Sequence, residues 1–277
     1  SLLEQVGAQD NTEETLERII PLLEAVLRRT AYLVLLSENP QALEQLIKLC
    51  STSSWVAEFI TRTPLLLDEL LVPESLYRLP DQSELQEELH LRLLRIEADD
   101  LEQQMEQMRQ FVRAHKLRAA ACEVMNKLPL MKISDYLTRL AETTMTMVQN
   151  LAFEQMVAKY GYPTDANKEP VYTPEFLIVG YGKVGGLELS YSSDLDLVFI
   201  HNGHAGGYTT GERSLDNGVF YTRMGQRMVH FCSTQTRSGD LYEVDLRLRP
   251  SGNSGMIVAS LNAFKEYQQN HAWTWEH

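Results

Sequence analysis

The sequence is poor in cysteine and has no long apolar run, and each shortage excludes a class of protein. Its 277 residues hold three widely spaced cysteines, too few for a disulfide framework and not paired as in a zinc site. No apolar run approaches the ~20 residues that span a bilayer. No basic segment followed by an apolar stretch marks a secretory signal at the N-terminus. We therefore expect a cytoplasmic protein without a membrane anchor.

Basic charge is also scarce. The formal net charge is −13, and residues 171–277 hold 8 Lys and Arg against 11 Asp and Glu. A protein that binds a long phosphate backbone usually presents a basic face, where Lys and Arg displace counterions. We therefore expect no nucleic-acid partner.

The first ~160 residues have the pattern of successive helices. Asn39-Pro40 and Thr63-Pro64 are typical of an N-cap followed by proline at the first helical position. Asp81 and Glu84 fit a capping box, which predicts one long helix from Asp81 to about residue 113. Leucine and methionine recur along it at helical spacing, as expected for the core of a helical bundle.

A connector rich in proline, glycine and polar residues follows Gly161, where the last of these helices should stop. The pattern then changes to short strands. The chain is predicted to be α+β, with a helical domain over 1–165 and a second domain over 166–277 that contains a small mixed or antiparallel sheet flanked by helices. The predicted elements are strands at Phe176–Val179, Asp194–His201 and Leu241–Leu248, a helix from Glu212 to Thr236 and a helix after Ser260.

The segment Gly180–Gly185 is a literal G-x-G-x-x-G after a strand. A dinucleotide-binding turn opens a crossover helix, and the seven residues Leu187–Ser193 are too few for one. A Walker A loop also fails, because Val184 follows Lys183 where Ser or Thr is needed. Gly185 and Gly186 could still bring the backbone close to a phosphate, with Lys183 adding charge, although for the glycines alone a plain tight turn is the favoured interpretation.

Two carboxylates follow this turn. In a strand, Asp194 and Asp196 point to the same face, about 7 Å apart along the chain. Acids on an otherwise apolar strand are costly to bury without a positive partner, and carboxylates suit Mg²⁺. The alternative is a solvent-facing edge strand with two surface acids.

A third acid strengthens the metal hypothesis. Strict alternation in Leu241–Leu248 predicts that Asp245 and Arg247 share one face, which Glu243 and Arg249 extend. Such a strand suits a site for metal and phosphate, with Asp245 bound to the ions and the guanidinium groups to phosphoryl oxygens. A salt-bridge ladder on an exposed face is the alternative.

The glycine pair, the D-x-D and an aspartate about fifty residues later resemble the DNA polymerase beta-type nucleotidyltransferase superfamily. The blocks GYGKVGGLELSYSSDLDLVFIH, LYEVDLRLRPSGNSGM and AWTWEH are similar to the bifunctional glutamine synthetase adenylyltransferase/adenylyl-removing family. Tyr191-Ser192-Ser193, the Arg249–Gly252 segment and the ending Trp273–His277 resemble its C-terminal, adenylylating domain. Since that family continues beyond this point, the chain looks like a C-terminally truncated fragment of a longer protein.

The resemblance implies transfer of AMP from ATP to a tyrosine hydroxyl of glutamine synthetase, with release of pyrophosphate. It implies Mg²⁺, two ions in our interpretation, for which Mn²⁺ can substitute, and it implies the PII signal protein and glutamine as regulators. The sister adenylyl-removing domain and a catalytically silent regulatory module are the alternatives. The metal-binding and catalytic residues are predicted to be Asp194, Asp196 and Asp245. The predicted nucleotide contacts are Gly185, Gly186, Ser193, Lys183, Arg247 and Arg249, the last four inferred from charge and facing.

Overall fold

The structure, a computed structural model, describes residues 2–27 and 29–272. The chain is α+β and divides into two compact units. Unit 1 comprises Ser1–Ala98 and Gln107–Leu140, and unit 2 comprises Asp99–Glu106 and Ala141–His277. The predicted domain boundary at residues 165 and 166 stays a prediction. The aromatic ending Trp273–His277 lies outside the described residues.

Unit 1 is helical, and two of its long helices continue into unit 2. Its short helices are packed through leucine, isoleucine and valine side chains, many of them fully buried. The elements are α1 (Leu2–Gly7), α2 (Thr12–Val26), α3 (Thr30–Glu38), α4 (Pro40–Thr52), α5 (Ser54–Arg62), a 3-10 helix (Pro64–Leu71), α6 (Pro73–Leu76), α7 (Gln82–Leu93), α8 (Leu101–Val124) and α9 (Leu130–Tyr160).

The long helix predicted from Asp81 to about residue 113 is wrong, because α7 ends at Leu93 and α8 begins at Leu101. The start at Asp81 is confirmed as a capping box, with both reciprocal hydrogen bonds formed. The break has a local cause. The carboxylate of Asp100 accepts a hydrogen bond from the main-chain N–H of Gln103, 3.0 Å away, and so opens a new helix.

The two asparagine- and threonine-proline pairs do begin helical segments at Pro40 and Pro64. Neither preceding side chain caps its helix, however. The Asn39 amide instead donates to the carbonyl of Leu35, at 2.8 Å, and closes the preceding helix α3. The starts of these two helical segments were therefore predictable from the sequence, but the hydrogen-bond partner of the Asn39 side chain was not.

Unit 2 contains Asp99–Glu106 and, from Ala141, the second half of α9. As predicted, this helix stops before Gly161; it ends at Tyr160, and Gly161 has a left-handed φ of 77°. No helix among residues 2–27 and 29–272 is long and apolar enough to span a membrane. The later elements are β1 (Phe176–Gly180), α10 (Gly182–Gly185), β2 (Leu195–His201), α11 (Asn217–Ser233), β3 (Val244–Asp245), a 3-10 helix (Gly252–Ser254), β4 (Val258–Ser260) and α12 (Leu261–Asn270).

The sheet is mixed, with β2 at its centre. Strand β1 runs antiparallel to β2, from Phe176 opposite His201 to Gly180 opposite Leu197. Strands β3 and β4 both run parallel to β2 and pair with its first and last residues, respectively. The antiparallel β1–β2 pair excludes a βαβ dinucleotide-binding unit, as the short connection between them predicted.

The predicted strand Leu241–Leu248 is wrong beyond two residues, because only Val244 and Asp245 pair with β2. The chain turns immediately afterwards, since the Asp245 carboxylate accepts a hydrogen bond from the main-chain N–H of Arg247 at 2.8 Å. The common strand face predicted for Glu243, Asp245, Arg247 and Arg249 therefore does not exist.

Helix α11 packs against the sheet through Gly225. A Cβ at this glycine would lie 2.4 Å from Val258 and 3.4 Å from Phe199, so a larger residue would push the helix off the strands. Phe199, on β2, contacts Phe176 with ring centroids 5.5 Å apart. The apolar side of β2 therefore faces the helices and leaves the other side of its first residues for the aspartates.

Candidate active site

Three aspartates converge where β2 begins and β3 ends. Asp194 lies just before β2, Asp196 is on β2, and Asp245 pairs with Asp196 in the parallel register. Paired residues of parallel strands project from the same side of a sheet. One carboxylate oxygen from each of the three acids lies within 4.8 Å of the others, and all three residues are half-buried.

The surroundings shift the pKa values of two of these acids in opposite directions. Burial raises the pKa of Asp196, and the neighbouring charges of Asp194 and Asp245 raise it further, against the opposing effect of Arg247 and Lys183. Hydrogen bonds from Arg247 lower the pKa of Asp245. Crowded like charges favour a nearby cation, because each additional negative group destabilises the ionised form of the others.

The loop between β1 and β2 lies directly against the cluster through Gly182. This residue has a left-handed φ of 54°, and a Cβ on it would lie 2.3 Å from the Asp196 carboxylate. The neighbouring main-chain N–H of Tyr181 donates to the carbonyl of Asp196 at 2.8 Å. Sequence reasoning missed Gly182, whose only signal was its place in the glycine motif.

The two glycines predicted to contact the nucleotide, Gly185 and Gly186, lie close to main-chain carbonyl groups. A Cβ at Gly185 would lie 2.5 Å from the carbonyl oxygen of Gly180, and one at Gly186 would lie 3.4 Å from that of Gly182. A side chain at Gly185 would therefore clash with the end of β1, whereas one at Gly186 would make only ordinary contacts. Lys183, in the same turn, is exposed and close enough to act on the charge of Asp196. Contact of these residues with a nucleotide stays a prediction.

The hydroxyl of Ser193 stabilises the turn that leads into β2. Its side chain is buried, and its hydroxyl accepts a hydrogen bond from the main-chain N–H of Ser190 at 3.1 Å and pairs with the Ser190 hydroxyl at 2.7 Å. These bonds fix the chain immediately before Asp194. A contact between Ser193 and a nucleotide stays a prediction.

The two predicted arginines differ in their surroundings. Arg247 forms an ion pair with Asp245 at the cluster. The guanidinium of Arg249 instead donates to three main-chain carbonyls, of Leu246, Asn253 and Gly255. Arg249 therefore holds the loop after β3 together, and only Arg247 is bonded to one of the acids.

The donor set fits a divalent magnesium-type ion. Asp194, Asp196 and Asp245 offer only oxygen atoms, within 4.8 Å of one another, and hard cations prefer carboxylate oxygen. Mg²⁺ usually keeps one or two carboxylates and completes its shell with water and substrate phosphate, which the half-exposed position allows.

A separate cleft lies elsewhere in unit 2. It has a volume of about 950 Å³ and surrounds His201 at the opposite end of β2, between α11, β4 and α12. The three acids are not among the described residues that line it. Among the described residues, the group of His, Cys, Asp and Glu side chains close enough to hold one metal ion is that of Asp194, Asp196 and Asp245, so we place the chemistry at the carboxylates and not at this cleft.

A small mixed sheet with three converging carboxylates beside a glycine turn is the arrangement expected of a polymerase beta-type nucleotidyltransferase. The family model described as glutamate-ammonia ligase adenylyltransferase matches residues 43–277. With most of its length matched, the chain belongs to that family.

Similar proteins carry the name bifunctional glutamine synthetase adenylyltransferase/adenylyl-removing enzyme. The relative from Pseudomonas putida is 56% identical over 276 residues, which cover 100% of the chain and 28% of the relative. The relative from Pseudomonas aeruginosa is 58% identical over 262 residues, covering 95% and 27%, respectively. That from Hahella chejuensis is 53% identical over 279 residues, covering 100% and 29%. The chain thus spans less than a third of the length of these relatives.

Proposed function

We propose that this chain transfers AMP from ATP to a tyrosine hydroxyl of glutamine synthetase. The convergence of Asp194, Asp196 and Asp245 within 4.8 Å supports this proposal most directly. The acceptor protein that we propose is taken from the names of the relatives. The transfer chemistry that we propose is based on the three aspartates. In the reaction, a bond forms between the tyrosine oxygen and the α-phosphorus and the α–β phosphoanhydride bond breaks. Pyrophosphate then leaves, and the phenolic proton passes to solvent.

The three aspartates would hold the divalent ions, Mg²⁺ or Mn²⁺. Bound there, the ions would lower the pKa of the attacking hydroxyl and offset the charge that develops on the phosphates. The protein's own part is to fix the carboxylates. Pairing of β2 with β3 sets Asp196 beside Asp245, and the Ser190–Ser193 turn sets Asp194. Fixed donors of this kind need no reorganisation during the reaction.

The cations beside the cluster suit the triphosphate. Lys183 and Arg247 are both exposed and both act on the charge of Asp196. Their positive charge would attract the β- and γ-phosphates and the leaving pyrophosphate, since charge-assisted bonds to phosphate are among the stronger hydrogen bonds. The backbone of Gly185 and Gly186 would approach the same phosphates.

The proposal is tested with Asp196→Asn. Labelled AMP transfer to unmodified glutamine synthetase should fall at least about a hundredfold, because a ligand of the ions is lost. The thermal midpoint of unfolding should not fall, since the substitution relieves repulsion from Asp194 and Asp245. Asp240→Asn, at an exposed acid of the same unit, should leave transfer unchanged. Transfer by Asp196→Asn at near the wild-type rate would refute the site.

The same preparation separates the alternatives. Release of the adenylyl group as ADP when phosphate is added to modified synthetase, without transfer to the unmodified protein, would assign the adenylyl-removing activity. No binding of ATP in the presence of Mg²⁺ would favour a catalytically silent module. The PII protein and glutamine are proposed as regulators of the longer protein only.

A further inference from the structure

Arg247 donates hydrogen bonds to both oxygens of the third carboxylate, that of Asp245. The main-chain N–H of Arg247 donates to Oδ1 of Asp245 at 2.8 Å. Its side chain donates to Oδ2 from Nε at 2.7 Å and from Nη2. The Asp245 side chain is 12% exposed, whereas that of Arg247 is 72% exposed. The guanidinium group therefore forms the solvent side of the pair and has room to leave.

These bonds place Arg247 in competition with a divalent ion. A carboxylate oxygen accepts through about two lone-pair positions, and the two guanidinium N–H groups fill those of Oδ2. The guanidinium charge also acts on Asp194 and Asp196. An ion entering between the three acids would meet this positive charge at close range, where like charges repel.

Arg249 offers a contrast within the same loop. Its guanidinium is held by the carbonyls of Leu246, Asn253 and Gly255, so it could leave only if the loop opened. The guanidinium of Arg247 bonds to one neighbouring side chain, that of Asp245, and the Arg247 side chain is largely exposed. Of these two arginines, only Arg247 can change partner without a change in the fold.

We propose that Arg247 is the resident counter-ion of the acid cluster, which a divalent ion displaces from Asp245 and which then binds the phosphates of the nucleotide. This inference rests on the proposed function, because it takes the acids to bind a metal and its nucleotide. A freed guanidinium presents a planar fork that matches phosphate oxygens. Ion and nucleotide would thereby strengthen each other's binding, as coupled ligands must do reciprocally.

The test measures two affinities of Arg247→Ala. Mn²⁺ binding without nucleotide, followed by electron paramagnetic resonance, should tighten about tenfold, since a competitor is removed. Binding of a non-transferable ATP analogue at saturating Mn²⁺ should weaken about tenfold, since a phosphate contact is lost. Arg247→Lys, which keeps the charge and loses the fork, should fall between wild type and Arg247→Ala in both. Arg213→Ala, at an exposed arginine of the same unit, should change neither affinity.

The remaining outcomes contradict the inference. Unchanged Mn²⁺ affinity in Arg247→Ala would make Arg247 a phosphate ligand alone, and weaker Mn²⁺ affinity would make it a support for the loop. A wild-type chain that binds no Mn²⁺ would overturn both this inference and the proposed function. Mn²⁺ binding that Asp196→Asn abolishes but Arg247→Ala leaves unchanged would overturn this inference only.

Discussion

Side chains at the centre of unit 1 contribute to stability in the opposite sense to those at the acid cluster of unit 2. Leu46 and Leu89 are fully buried among other apolar groups, and burial of such surface is the main favourable contribution to folding. Asp194, Asp196 and Asp245 are half-buried and lie close enough to repel one another. Beside them, Gly182 adopts a left-handed backbone conformation and lies against the Asp196 carboxylate. Substitutions in the first region should therefore reduce stability, and substitutions in the second should reduce function.

The largest loss of stability is expected from the core of unit 1. Leu89 and Leu91 both lie on α7, but Leu89 is 0% exposed and Leu91 is 49% exposed. Leu89→Ala should lower the free energy of unfolding by about 2–5 kcal/mol, because it leaves a cavity. Leu91→Ala should lower it by less than about 0.5 kcal/mol, as is usual at surface positions. Urea denaturation followed by circular dichroism measures both, and equal losses would contradict the buried position of Leu89.

Gly182→Ala should instead affect the acid cluster. Its Cβ would lie 2.3 Å from the Asp196 carboxylate, so the ligand or the loop must shift. We expect AMP transfer to fall about a hundredfold, since displacement of a catalytic group by about 1 Å can cost that much. The loss of stability should stay near 1–2 kcal/mol, the usual range for a strained left-handed residue.

Gly206→Ala is the matched control. Gly206 has a left-handed φ of 76°, like Gly182, but a Cβ there meets nothing within 4 Å. It should therefore show the cost of the backbone conformation with full AMP transfer. If the two alanine variants lose activity equally, contact with Asp196 is not the reason for glycine at position 182.

The convergence of the acids was predictable from the sequence because it depends on local periodicity. Alternation places Asp194 and Asp196 on one face, and any pairing with the segment around Asp245 can complete the group. Two other predictions were wrong because of local hydrogen bonds. The carboxylate of Asp100 interrupts a continuous helical pattern, and that of Asp245 ends a continuous strand pattern.

The role of Gly182 could not be predicted from its neighbours. Its side-chain position is filled by the Asp196 carboxylate, which folding brings against the loop from the following strand. Arg247 and Arg249 likewise looked equivalent by alternation, and the turn after Asp245 separates them. A contact between two elements decided the first case, and hydrogen bonds within the loop after β3 decided the second; strand alternation predicts neither.

The smallest expected effect is a pH dependence that belongs to unit 1. His115 is fully buried, with Nδ1 2.6 Å from the Tyr136 hydroxyl and Nε2 3.2 Å from a carboxylate oxygen of Glu88. Burial lowers the pKa of His115, and the nearby guanidinium groups of Arg118 and Arg92 lower it too, against the opposing pull of Glu88. The unfolded chain, with an ordinary histidine pKa near ~6.5, then binds more protons than the folded one.

Stability contributed by neutral His115 should consequently be complete above pH ~6.5 and should decrease as the pH falls from there through the folded pKa. The urea midpoint is expected to drop between about pH 7.5 and 5.5, a window in which few carboxylates titrate. His115→Gln should flatten that slope, whereas His204→Gln, at an exposed histidine of unit 2, should leave it unchanged. A slope that persists in His115→Gln would locate the titrating group elsewhere, with buried His201 of unit 2 the next to replace, because burial lowers its pKa as well.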